Sequence, residues 1–99
     1  MQKIDCEKIL GEYEAQSVVL KAIAHPVRLC ILNGLMNNNG CNVNHMQDCL
    51  CMPQSTISTH LAKLKNAGVV KGNRVGKEII YTINNDEIKE ILIALGGIK

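Results

Sequence analysis

From Cys6 to about Ala24 the chain reads CEKILGEYEAQSVVLKAIA. Ile9, Leu10, Tyr13, Val18, Val19, Ala22 and Ile23 mark one face of a helix, with an irregularity expected at Gly11. His25-Pro26 interrupts the run, because a residue before proline avoids the α region, and Pro26 suits the first turn of a second helix. There Leu29, Ile31, Leu32 and Leu35 supply a buried side, with Cys30 as a small core residue among them. The loop from Asn37 to Gly40, NNNG, ends it with residues that tolerate left-handed backbone.

Residues 44–67 have the pattern of two helices joined by a tight turn. Asn44 is expected to cap a short helix containing Met46, Gln47 and Leu50, and Pro53 to open the next one. In that next helix Ile57, Leu61 and Leu64 point inward at i, i+4 and i+7. Gln54, Ser55, Thr56, Ser58, Thr59 and Lys63 fall on or near its outer side, and Ala67-Gly68 stops it. Residues 69–83 read as two strands: Val69 and Val70 begin the first, and Ile79, Tyr81 and Ile83 alternate with Ile80 and Thr82 in the second. The hairpin tip is expected at Asn73 to Lys77, with Gly76 as its turn glycine. A last helix begins at Asn84, Asn85 or Asp86, carries a stripe of Ile88, Ile91, Leu92 and Leu95, and stops at Gly96-Gly97. The pattern predicts one mainly α domain with a small β-hairpin, an α+β class, over residues 1–99.

Length and composition sharpen this. A chain of 99 residues lies near the lower end of what buries a self-sufficient core, so a second copy is expected to cover the apolar stripe of the last helix. With no Phe, no Trp and two Tyr, the core is aliphatic and sulfur-rich. No apolar run approaches the ~20 residues that cross a bilayer, and MQKIDCEKIL lacks an uninterrupted apolar segment, so a cytoplasmic location is expected. Five cysteines without an extracellular signal read as reduced thiols rather than as a disulfide frame.

The net charge of +2 conceals an asymmetry. Residues 49–77 hold Lys63, Lys65, Lys71, Arg74 and Lys77 and no Asp or Glu, while the rest of the chain is net acidic. Carboxylates there would repel phosphates, and their exclusion points to a polyanion partner. An acid-free helix face of Gln, Ser and Thr suits the DNA major groove, where such side chains read base edges and lysine anchors phosphates. Arg74 and Lys77 at the hairpin tip would project beside it as a basic finger. Enzymatic function is not expected, because a cysteine nucleophile with His45 or His60 would need a base oriented by a third group, and no such set is present.

Three stretches, LKAIAHPVRLCILNGL, PQSTISTHLAKLKNAGVV and NRVGKEIIYTI, resemble the signatures of the ArsR/SmtB family of winged-helix repressors over about residues 16–83. The pattern S-T-I-S-x-H-L, here Ser55 to Leu61, with Gln54 ahead of it and the wing behind, is fairly specific in combination. The resemblance implies a winged helix-turn-helix of five helices, with the hairpin between the fourth and fifth. It implies a homodimer joined through the first and last helices, about 6–24 and 86–95, on two-fold double-stranded operator DNA that is released when an effector binds. It puts Gln54, Ser55, Thr56, Ser58, Thr59 and His60 in or beside the groove, and Arg74 and Lys77 on the wing. His60 lies three residues from the inward Ile57 and has a competing inward role, and His25 and His45 read as structural or solvated.

The effector stays open at this level. Many family members carry a C-x-C pair at the start of the helix before recognition, but alignment through STIS puts Asn42 and Asn44 at those positions. The family's alternative site on the last helix, D-x-H with a later histidine, is also missing, since Ile88 follows Asp86 by two and no histidine follows His60. Zinc, nickel and cobalt are poor candidates there. A cysteine pair between the second and last helices is disfavoured as well, because the last helix has no cysteine. The leading expectation is a soft thiophilic ion, arsenite, cadmium, lead or copper(I), held by thiolates drawn from Cys6, Cys41, Cys49 and Cys51; no resident cofactor is required. Cys49 and Cys51 have a competing structural role at the helix end and in the turn. The alternatives are thiol oxidation of the same cysteines, or a winged helix used for protein contacts.

Overall fold

A computed structural model describes residues 6–96. The elements are α1 (Cys6–Ile23), α2 (Pro26–Asn37), α3 (Val43–Leu50), α4 (Gln54–Asn66), β1 (Val70–Val75), β2 (Glu78–Ile83) and α5 (Asp86–Ala94). The order and class are those the sequence pattern predicts, and the expected stop at Gly97 lies outside the described residues.

α1 runs through Gly11 without the expected irregularity. It turns into α2 at an axis angle of 92°. The corner is built by His25, whose backbone is extended and whose Nδ1 accepts the Val27 N–H at 3.1 Å, satisfying one orphan donor of α2 ahead of Pro26. Of the apolar face of α1, only Ala22 and Ile23 are buried, whereas Leu10, Tyr13, Val18 and Leu20 are each at least half exposed. The long axis of the molecule, 52 Å against 28 and 21 Å across, accommodates this extended helix.

The core sits where α2, α4, α5 and the start of the hairpin meet. Ile31, Leu32, Leu35, Ile57, Leu64, Val69 and Ile88 are its most completely buried side chains. Each such aliphatic contributes about 1.5–3 kcal/mol by leaving water. Cys30 is not part of it. Its thiol is exposed, because the buried stripe of α2 passes through Ile31, Leu32 and Leu35 and turns Cys30 outward toward the end of α5.

The cap of α3 is Asn42 rather than Asn44: its Oδ1 accepts the His45 N–H at 2.7 Å, and the helix therefore starts two residues earlier than Asn44 would allow. The α3–α4 turn passes through Cys51, in left-handed conformation at φ 52°. The hairpin is antiparallel, with Val70 opposite Ile83 and Val75 opposite Glu78. Val69 precedes β1 instead of beginning it, and its carbonyl accepts the Asn84 N–H at 2.8 Å. The tip is shorter than expected. Asn73 and Arg74 pair with Ile80 and Ile79 inside the ladder, which leaves Gly76 and Lys77 as a two-residue turn. Only Gly76 of the pair has a positive φ, 64°, as a tight hairpin turn requires of its first central residue. The base of the hairpin is held by Cys41, which exchanges both backbone hydrogen bonds with Tyr81 at 3.1 and 2.9 Å. α5 starts at Asn85, whose Oδ1 accepts the Ile88 N–H at 2.9 Å, and acids fill its first turn, where the helix dipole favours them. Its stripe divides: Ile88 and Leu92 are buried, Ile91 is half-buried, and Leu95 is 67% exposed.

Candidate nucleic-acid interface

α4 is anchored from below by Ile57, Leu61 and Leu64, all buried against the core. This fixes which side chains face out. Gln54, Ser55, Ser58, Thr59 and Lys63 are exposed, and Thr56 is half-buried. Thr59 Oγ1 donates to the Ser55 carbonyl at 2.8 Å, which holds its rotamer while leaving the hydroxyl oxygen as an acceptor. The first turn of α4 has Pro53 at its N-cap and no side-chain cap, so its N–H groups keep free donors at the positive end of the helix dipole. That end attracts phosphate.

On one flank of α4 stands a polar corner. Arg28, in the first turn of α2, donates its Nε–H to His60 Nδ1 at 3.1 Å and an Nη1–H to the Ala22 carbonyl at 3.0 Å. The rings of His25 and His60 lie 4.6 Å apart at a 39° tilt. One guanidinium thus ties α1, α2 and α4 together. The bond from Arg28 requires an unprotonated Nδ1 on His60, and the ring is held below the ordinary histidine value, first by burial and then by the charges of His25, Arg28 and Lys63. His60 is half-buried with Nδ1 engaged, so a groove contact would fall to the remainder of its ring.

The hairpin presents Lys71, Arg74 and Lys77, all exposed. Gly72 lets it stay narrow: a Cβ there would lie 2.8 Å from Ile79 Cγ2 and 3.2 Å from the Tyr81 ring. Lys63 and Lys65 are exposed at the end of α4. No Asp or Glu occurs from residue 49 to 77, and the exposed Glu78 follows directly at the hairpin tip, opposite Val75.

The cysteines do not assemble beside it as a set. Among the described residues no group of three or more His, Cys, Asp or Glu has the spacing of a metal site within one chain. Cys41 is buried at the base of the hairpin, and burial pushes its thiol up from the ordinary value, with Cys49 adding to the shift. Cys49 is exposed, with Sγ 3.5 Å from His45 Nε2. Cys51 is exposed in the turn, its Sγ directed at the Asp48 carbonyl at 4.0 Å. Cys6 is exposed at the start of α1.

The profile of the family described as bacterial regulatory protein, arsR family, matches residues 25–71, from the α1–α2 corner into β1. The transcriptional repressor PagR of Bacillus anthracis is 42% identical over 86 residues, which cover 87% of this chain and 86% of PagR. The chain belongs to the ArsR/SmtB family of transcriptional regulators. The crystal structure of PagR matches the fold with a TM-score of 0.82 at 41% identity, covering 87% of this chain and 98% of that one. HlyU from Vibrio cholerae matches with a TM-score of 0.78 at 32% identity, over 85% of this chain and 90% of its own. These relatives are regulators of transcription, not enzymes.

In this ArsR-family chain, α4 is the second helix of the helix-turn-helix and the β1–β2 hairpin is the wing. Arg28, bonded to His60 of α4, is the residue beside this surface that sequence reasoning missed. One signal was available: an arginine in the first turn of a helix stands against the helix dipole, and such a placement implies a partner elsewhere.

Proposed function

We propose that this protein is a homodimeric repressor that reads double-stranded operator DNA with α4 and the wing, and releases it when a thiophilic ion reaches its cysteines. The observation that carries the DNA-reading part is the exposed α4 face of Gln54, Ser55, Ser58, Thr59 and Lys63, flanked by Arg74 and Lys77, with no carboxylate from residue 49 to 77. Gln54 and Ser55, at the open N-terminal end of α4, read base edges, with Thr56, Ser58, Thr59 and His60 in or beside the groove. Lys63, Arg74 and Lys77 contact phosphates.

A second copy is supported by the exposed apolar residues of α1, Leu10, Tyr13, Val18 and Leu20, and of α5, Ile93 and Leu95. A groove between the two helices, lined by Val19, Leu20, Ile88 and Ile91, continues that apolar surface. A related winged helix-turn-helix domain from Mycobacterium bovis, 25% identical with a TM-score of 0.77, is described as homodimeric. Such a repressor works in the cytoplasm.

For the effector, the supporting contacts are few. His45 and Cys49 are adjacent, Cys41 is electrostatically coupled to Cys49, and exposed Cys6 and Cys51 are free to join from the same or the other subunit. Thiol oxidation uses the same exposed sulfurs and is the second reading.

The tests separate these parts. Gel shifts on duplexes selected from a random pool are expected to show relaxed sequence preference for Gln54→Ala and Ser55→Ala. Lys63→Ala and Arg74→Ala are expected to weaken binding to all sequences. Unchanged binding in all four variants, or a wild type that engages a protein instead of a duplex, rejects the assignment. Release of DNA by arsenite, cadmium, copper(I) or peroxide is then compared with a variant lacking Cys6, Cys41, Cys49 and Cys51. Equal release from that variant removes the cysteine sensor.

A further inference from the structure

Three helices converge on an open groove of about 380 Å³ beside α4, lined by Val18, Lys21 and Ala22 of α1, Arg28 of α2, and Lys63, Asn66 and Ala67 at the end of α4. Its polar wall is cationic: Lys21, Arg28 and Lys63 line it, and no carboxylate does. Among the described residues no carboxylate pairs with any of the three within salt-bridge distance, whereas Lys89 on α5 does have such a partner in Asp86, 3.8 Å away.

Lys21 and Lys63, in the last turns of α1 and α4, each gain from the negative end of their own helix. Arg28 does not. It sits in the first turn of α2, a turn with no acidic residue, where the dipole repels a cation. Its bonds to His60 and the Ala22 carbonyl use two of the five guanidinium N–H donors. Three remain, on a side chain whose direction is fixed by those two bonds. Unpaired cations held together in this way match a phosphodiester oxygen.

We propose that Lys21, Arg28 and Lys63 form a second backbone contact of the operator complex, seating a DNA phosphate against the α1–α2 corner and so fixing how deep and at what angle α4 enters the groove. The proposal rests on the DNA-reading function above and adds α1 and α2 to the interface. Because Arg28 also holds His60, the phosphate contact and the orientation of α4 share one guanidinium.

The experiment uses the full chain and a duplex of arbitrary sequence, since a phosphate contact is independent of sequence. Binding is measured over a series of salt concentrations for wild type, Lys21→Ala, Lys21→Arg and Lys89→Ala. Lys21 and Lys89 are both exposed, so neither alanine variant creates a cavity. Lys21→Ala is expected to weaken binding and to lower the slope of log affinity against log salt by about 0.9 for each phosphate that is no longer neutralised. Lys21→Arg restores the slope, and Lys89→Ala leaves it at the wild-type value. An unchanged slope and affinity in Lys21→Ala, with wild type still bound, overturns the groove contact and leaves the α4 and wing assignment standing. A wild type that ignores DNA at low salt overturns both. A loss in Lys89→Ala equal to that in Lys21→Ala reduces the effect to net charge and also overturns the proposal.

Discussion

Arg28 and His60 stand 32 positions apart in the chain and meet at 3.1 Å, Nε to Nδ1, so the orientation of the recognition helix is tied to the first turn of α2. A proton on His60 Nδ1 would remove the acceptor and set a cation against Arg28, with His25 and Lys63 nearby.

The first prediction is a pH dependence. His60 is held below its ordinary value in the folded protein, so the unfolded chain takes up the proton more readily. The stabilisation is complete above the unfolded value of about 6.5 and is lost as pH falls through the folded value below it. Denaturant midpoints measured from pH 8 to pH 5, an interval spanning about 6.5, are expected to fall more steeply for wild type than for His60→Asn. Parallel curves would show that the imidazole does not carry the effect.

Loss of the tether itself is the second. Arg28→Ala leaves the His60 acceptor and the Ala22 carbonyl without their partner, at a cost of about 1–3 kcal/mol. Urea unfolding should show this loss in Arg28→Ala, and Arg28→Lys should recover only part of it, because an ammonium cannot reach both acceptors as the planar fork does. Full recovery by lysine would show that charge, not geometry, matters there.

A third concerns the start of α3. Asn42→Ala is expected to cost about 1 kcal/mol by removing the acceptor of the His45 N–H, while Asn44→Ala, on an exposed side chain, should fall within about 0.5 kcal/mol of wild type. Equal losses in the two variants would contradict the cap assignment.

Thiol reactivity gives the fourth. In native protein, Cys6, Cys30, Cys49 and Cys51 should alkylate readily at neutral pH, and Cys41 should react only on unfolding. Mass spectrometry of digests after brief iodoacetamide treatment reads this directly. Early labelling of Cys41 would show that the base of the hairpin opens.

The wing supplies the fifth. Gly72→Val puts branched carbon where a Cβ already approaches Ile79 Cγ2 to 2.8 Å, so the hairpin must shift to admit it. DNA affinity is expected to fall while the core transition moves little, since β1 is exposed beyond Val70. Unchanged affinity would mean that the wing adapts or takes no part in binding.

Much of this architecture was legible in the order of residues. The periodicities of Ile57, Leu61 and Leu64, and of Ile31, Leu32 and Leu35, each specify a buried face, because a helix repeats every 3.6 residues and an aliphatic side chain gains most by leaving water. The clearing of acids from residues 49–77 is a property of sequence alone, and it falls on α4 and β1 because those elements are neighbours in the chain. The misread positions are local competitions. Asn42 and Asn44 carry the same side chain and differ only in which one meets the His45 N–H. Cys30 belongs to an apolar helix, and its exposure follows from which side of α2 the other helices cover.

The sequence by itself determined the element order, the inward stripes and the charge of the segment that forms α4 and the hairpin, since these follow from near-neighbour spacing and side-chain chemistry. Only the tertiary structure decided that Arg28 joins His60, that Lys21 faces the same groove as Lys63, and that Cys41 is sealed while Cys49 is open. Those relations link residues far apart in the chain, and the packing of α1, α2 and α4 around one aliphatic core sets the distances between them.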